Sequence, residues 1–105
     1  EITAPFEGFP LTLRYTFHMD MTPLHQTLSR IEKDPRSGQS LLLYALVKTL
    51  TIPQAGHSYL LTKLKEMNPD TRQLAYGLME LMALGATASS EWNSAVEQMD
   101  RAIRG

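Results

Sequence analysis

The chain has 105 residues, of which 43% are hydrophobic and 20% charged, a composition that predicts a folded chain of one domain rather than a disordered one. Ten basic and eleven acidic residues give a net charge of −1, and neither half of the chain is basic, which disfavours nucleic acid and anionic membranes as partners. The absence of cysteine excludes disulfides and thiolate metal sites. We therefore expect a single domain over residues 1–105 that packing alone stabilises.

The N-terminal part of the chain predicts a β element within residues 1–20. Five bulky apolar side chains alternate strictly with polar ones there, as in a strand with one buried face. They are Leu11, Leu13, Tyr15, Phe17 and Met19. A short strand over 2–6 could complete a hairpin, although Pro5 lacks a backbone donor. The open edge of the long strand favours pairing with a second copy or with a strand of a client protein.

Residues 22–104 are predicted to be helical. Thr22, as N-cap, marks the start of the first helix, which ends near Lys33. The next helix covers 39–50 and has almost no polar side chain, so we expect it to be buried on most sides. A buried strand over 47–52 is the alternative, because that segment also alternates.

Three further helices complete the predicted fold. One covers about 58–67 and another 68–85, so that the two form a helical hairpin. The last helix starts at Ser89 or Ser90 and carries apolar side chains every three or four residues on one face. They are Trp92, Val96, Met99 and Ile103. The fold class is therefore mainly α with a short N-terminal β element, a small α+β arrangement of one or two strands followed by about five helices.

Two long segments carry very few charges. Residues 37–62 contain only Lys48, and residues 73–90 contain only Glu80, whereas average usage predicts about eleven charges over the 44 residues. These segments either build the core or are partly covered by another chain. The small size of the domain favours some covering, because a domain of this length cannot bury every side of its helices.

We predict a small non-enzymatic protein–protein interaction or assembly module, chaperone-like or adaptor-like, that acts as a homodimer. The candidate contact residues are the apolar face of the strand together with aromatic and methionine side chains of the helices, types that are common at interfaces. Each of the aromatic candidates could equally belong to the core. The candidates are Leu11, Leu13, Tyr15, Phe17, Met19, Tyr44, Tyr59, Tyr76, Met79, Met82 and Trp92.

The sequence lacks the residue patterns typical of enzymes and of cofactor sites. Its six glycines are too scattered for a phosphate-binding loop. His18 and Asp20, two residues apart on the polar face of the predicted strand, are a weak candidate for a minor metal or enzyme site. We therefore predict no enzyme activity and no cofactor, with this pair as an alternative.

A DNA-associated regulator is the other alternative. The predicted hairpin over 58–84 resembles a helix-turn-helix in outline, and its second helix offers Arg72, Gln73 and Tyr76 as readers of DNA bases. The absence of a basic surplus argues against nucleic acid as a partner.

The sequence also bears on the location of the protein. Its longest apolar run, 41–47, is far shorter than the roughly 20 residues that span a bilayer, so we expect a soluble chain without membrane insertion. The chain begins at Glu1 rather than Met, so a cleaved leader and excision from a longer protein both stay open, with a cytoplasmic location favoured.

Overall fold

The computed structural model describes residues 20–52 and 62–105, and these residues are 83% helical with no strand among them. They form four α-helices, which are α1 (Thr22–Lys33), α2 (Gly38–Thr51), α3 (Pro69–Ala83) and α4 (Ser90–Arg104). Two short 3₁₀ turns, Leu64–Glu66 and Ala86–Ala88, precede α3 and α4. The described part of the chain is therefore an all-helical arrangement.

The predicted small α+β fold class is wrong, because the described residues contain only helices, and four α-helices rather than about five. The predicted strand lies outside the described residues, and so do residues 58–61 of the predicted helix over 58–67. The rest of that predicted helix, 62–67, is described and contains the short 3₁₀ turn Leu64–Glu66, after which Met67 is extended. The segment 47–52 is helical through Thr51 rather than a strand. Val47 and Leu50 continue the helical spacing of the buried residues before them, so that helix formation keeps these two on the core side.

Polar side chains fix the starts of the helices. The caps are Ser37 for α2, Asn68 for α3 and Ser89 for α4, and each accepts a hydrogen bond from a backbone N–H of the first turn. Such a cap pairs a donor that the helix leaves free and contributes about 1 kcal/mol. The starts predicted at Asn68 and Ser89 are thus confirmed. Thr22 is not a cap but the first residue of α1, and its N–H donates to the Asp20 carboxylate at 3.0 Å.

The core lies where the four helices meet, and α1 contacts each of the other three. The apolar side chains buried there recur at helical spacing, which gives each helix one inward face. They are Leu24, Ile31, Leu43, Leu46, Val47, Leu50, Met67, Leu74, Ala75, Leu78, Leu81, Ala86, Trp92, Ala95, Val96 and Met99. The inward face predicted for the last helix is therefore confirmed at three of its four residues, and Ile103 packs half-buried against the same core.

The close approach of α1 and α3 depends on a glycine. A Cβ atom built on Gly77 would lie 2.6 Å from Pro23 Cγ and 2.7 Å from Pro23 Cβ. Any larger residue would push the two helices apart. Glycine at this position therefore lets the start of α1 rest directly on the backbone of α3.

Candidate contact surface

The helix α2 exposes apolar side chains on the side opposite its core residues. At 100° per residue, Leu41, Ala45 and Ile52 point away from the buried side, and Leu42 lies at the edge. Leu41 is 42% exposed, and Ile52, which caps the helix, is 51% exposed. We call the residues Leu41, Leu42, Ala45 and Ile52 the α2 face.

The composition of α2 explains this exposure. Residues 41–47 are an unbroken run of apolar and aromatic residues, so in these two turns apolar side chains fall on the outer side of the helix as well as on the inner side. The expectation that this helix is buried on most sides does not hold at Leu41. Sequence reasoning missed Leu41 and Ile52 as contact residues, although both follow from a helical wheel centred on Leu46 and Leu50.

A shallow groove of about 390 Å³ lies along the α2 face. Its lining residues are Gly38, Gln39, Leu41, Leu42, Ala45, Lys63 and Glu66. Gln39 fixes the side of the groove that Lys63 and Glu66 form. Its side-chain amide donates to the carbonyl oxygen of Glu66 at 3.1 Å, and its Oε1 accepts from the N–H of Asn68 at 2.9 Å. The turn before α3 is thereby anchored to the start of α2.

The lysines beside the α2 face are paired with acids. Lys63 Nζ lies 3.2 Å from Glu66 Oε2, and Lys48 Nζ lies 3.1 Å from Asp100 Oδ1. The groove and its surroundings therefore present apolar surface with charges that are locally balanced.

Tyr44, a predicted contact residue, ties α2 to α4 instead of standing free. Its O–H donates to Asp100 Oδ1 at 2.6 Å, and Lys48 donates to both oxygens of the same carboxylate at 3.1 and 3.3 Å. The hydrogen bond to Asp100 raises the pKa of Tyr44. The same bond, assisted by Lys48, lowers the pKa of Asp100 despite its partial burial.

The other predicted contact residues within the described ranges lie on α3 and α4. Tyr76 is 47% exposed on the outer side of α3, while Met79 and Met82 pack half-buried against the core. Trp92 has no exposed surface and donates from Nε1 to Thr51 Oγ1 at 2.9 Å, so it belongs to the core. The predicted residues that lie outside the described ranges are Leu11, Leu13, Tyr15, Phe17, Met19 and Tyr59.

His18 and Asp20 are the pair predicted as a candidate metal or enzyme site, and the structure describes only Asp20. The Asp20 carboxylate accepts a hydrogen bond from the N–H of Thr22, the first residue of α1, and its hydrogen bonds with Thr22 lower its pKa. His18 lies outside the described residues. Within 20–52 and 62–105, no group of three or more histidine, cysteine, aspartate or glutamate side chains is placed to hold a metal ion.

The DNA-binding alternative stays a prediction. Of the candidate base readers, Gln73 and Tyr76 are exposed, whereas Arg72 donates to the carbonyl oxygen of Met67 at 3.0 Å and so braces the start of α3. Residues 58–61 of the first helix of the predicted 58–84 hairpin lie outside the described residues, and its remainder ends in the 3₁₀ turn Leu64–Glu66.

Comparison of the chain with known protein families, with curated proteins and with solved structures found no match. None of the helices in the described ranges is both long and apolar enough to cross a lipid bilayer. The function is therefore inferred from the surface of the molecule itself.

Proposed function

We propose that this protein is a small interaction module that self-associates through the α2 face. The observation that carries the proposal is the exposure of Leu41 and Ile52, two large apolar side chains on one side of a helix whose other side builds the core. Contact with another polypeptide removes this surface from water, which is favourable by about 25 cal/mol per Å² of apolar area. The protein then acts by contact, as an assembly or adaptor protein and not as an enzyme.

The charges around the α2 face favour a second copy as the partner. A two-fold axis brings the same patch of both copies together, so that residue i of one copy contacts residue j of the other and the reverse, and groups near the axis lie close to their own copies. Lys48 and Lys63 are each paired with an acid of their own chain. Two such faces therefore meet with apolar surface in contact and with little repulsion between like charges.

The size of the α2 face predicts a weak dimer. The 14 residues of α2 form a helix about 21 Å long at 1.5 Å per residue. One face of such a helix supplies only part of the roughly 800 Å² per partner that stable interfaces bury. We therefore expect a dissociation constant in the micromolar range or weaker, with monomer dominant in dilute solution.

Sedimentation velocity over a range of protein concentrations tests this proposal. The wild-type chain should move from monomer towards dimer as its concentration rises. Leu41→Lys should stay monomeric, because it places a charge on the α2 face. Gln73→Lys is the matched control, since it adds the same charge at an exposed position of α3, and it should dimerise like the wild type.

Two outcomes would contradict self-association through this face. One is a wild-type chain that remains monomeric at about 1 mM, a concentration at which even a complex worth only −4 kcal/mol forms. The other is dimerisation of Leu41→Lys to the same extent as Gln73→Lys. Circular dichroism of each variant shows whether its helices are intact.

A further inference from the structure

The end of α1 carries two basic side chains without acidic partners. Arg30 and Lys33 are one turn apart and lie on the same side of the helix. Among the described residues, neither takes part in an ion pair. They leave a local positive charge on a chain whose net charge is −1.

Two adjoining hollows share these side chains. The first, of about 350 Å³, lies between α1 and α3 and is lined by Gln26, Ser29, Arg30, Lys33 and Leu74. The second, of about 410 Å³, lies beside the start of α2 and is lined by Arg30, Lys33, Asp34, Ser37 and Ser40. We call the first hollow the Arg30 cleft. Its lining contains no acid, and the adjoining hollow contains one, Asp34.

The Arg30 side chain is held by a buried group of α3, and the Arg30 backbone by one of α2. Its guanidinium donates to Thr71 Oγ1 of α3 at 3.1 Å, and its carbonyl oxygen accepts from Ser40 Oγ of α2 at 3.3 Å. Thr71 and Ser40 have no exposed surface. A guanidinium has five N–H donors, so most of them stay available while the side chain is already oriented. A ligand that binds these donors therefore costs Arg30 little conformational entropy.

We propose that the Arg30 cleft binds an oxyanion that carries two negative charges, of the phosphate type. The guanidinium offers two parallel N–H groups to two oxygens of the ligand, and the Lys33 ammonium supplies the second positive charge. The Ser29 hydroxyl and the Gln26 amide add neutral donors to the same lining. Two cations match a phosphate dianion better than a carboxylate, which carries a single charge. The inference does not rest on self-association through the α2 face, which is formed by other residues.

Titration of the ¹⁵N-labelled full chain with inorganic phosphate, at constant ionic strength, tests the proposal. The amide signals of residues 26–34 should shift and saturate, with a dissociation constant of about 1 mM or lower. Acetate titrated in the same buffer should bind more weakly. Saturation by acetate at the same concentration as phosphate would overturn the assignment to a dianion.

Charge-removing variants locate the site. Lys33→Gln should weaken phosphate binding about tenfold, which is the effect of losing one hydrogen bond to a charged group. The fold should stay intact, because Lys33 is exposed. Arg30→Gln should weaken binding at least as much, and its thermal unfolding is measured alongside, since it also loses the bond to Thr71. Arg101→Gln removes the same charge from the exposed outer side of α4 and should bind phosphate like the wild type.

Two results would overturn the proposal. In one, the shifts grow without saturation and equal those caused by sodium chloride. In the other, Arg101→Gln weakens binding as much as Lys33→Gln does, so that phosphate responds to the overall charge of the chain and not to the Arg30 cleft.

Discussion

Replacing Gly77 with alanine tests the close packing of α1 on α3. The new Cβ would lie 2.6 Å from Pro23 Cγ, whereas non-bonded carbon atoms rest about 3.5–4.0 Å apart, so the helices must separate by about 1 Å. The proline ring cannot rotate aside, because it is closed on its own backbone. Overpacking of this kind costs about 1–3 kcal/mol.

Helix propensity acts in the opposite direction. Alanine is better than glycine inside a helix by about 1 kcal/mol. The net effect of Gly77→Ala is therefore a loss of about 1 kcal/mol in the free energy of unfolding, taking the middle of the overpacking range. Urea denaturation followed by the fluorescence of Trp92, the one tryptophan of the chain, measures this change, because Trp92 is fully buried in the fold.

Two further variants decide whether the clash is the cause. Gly38→Ala is the matched control, since a Cβ there meets nothing within 4 Å, and it should be neutral or slightly stabilising. In a Pro23→Gly background the penalty of Gly77→Ala should disappear, because the atoms it meets are gone. A Gly77→Ala chain that is more stable than the wild type by about 1 kcal/mol, as propensity alone predicts, would refute the close approach of α1 and α3.

Two further predictions concern polar contacts between helices. Tyr44→Phe should lower the free energy of unfolding by about 1 kcal/mol at neutral pH, because Asp100 loses a hydrogen-bond donor. The pKa of Tyr44 is raised in the folded chain, so rising pH removes the stability that this residue contributes. The difference between variant and wild type should therefore shrink above pH 10, the ordinary tyrosine pKa. Asp100→Asn should also lower the free energy of unfolding, and this loss should shrink below pH 3.8, the ordinary aspartate pKa, because a lowered pKa gives stability that is lost as pH falls. Urea unfolding measured across pH checks both variants. Losses of stability that stay constant with pH would contradict both predictions. Thr51→Val leaves the buried Nε1–H of Trp92 without its acceptor and should cost about 1–3 kcal/mol in thermal unfolding, so an unchanged melting temperature would contradict this bond.

The sequence predicts α3 and α4 well because each carries its own local signals. Asn68 before Pro69 starts one helix and Ser89 starts the other, and leucines or a tryptophan at helical spacing mark the inward side. These signals act between residues three or four apart, so they can be read without knowledge of the rest of the fold.

The contacts between helices are the part that local patterns do not contain. The bond from Arg30 to Thr71 joins residues 41 positions apart, and the bond from Trp92 to Thr51 spans the same separation. Periodicity shows that one side of a helix is apolar, yet it does not show which other helix covers that side. For this reason the sequence offered Trp92 as a contact residue, although the fold buries it, and omitted Leu41, which the fold leaves exposed.

The central claim, that two copies meet at the α2 face, is tested most directly by disulfide trapping. The chain has no cysteine of its own, so Ala45→Cys introduces a single thiol near the middle of this face, where it meets its own copy across a two-fold axis. Under oxidation Ala45→Cys should form a covalent dimer many times faster than the exposed control Gln73→Cys at the same concentration. Equal rates of dimer formation by the two variants would contradict the claim.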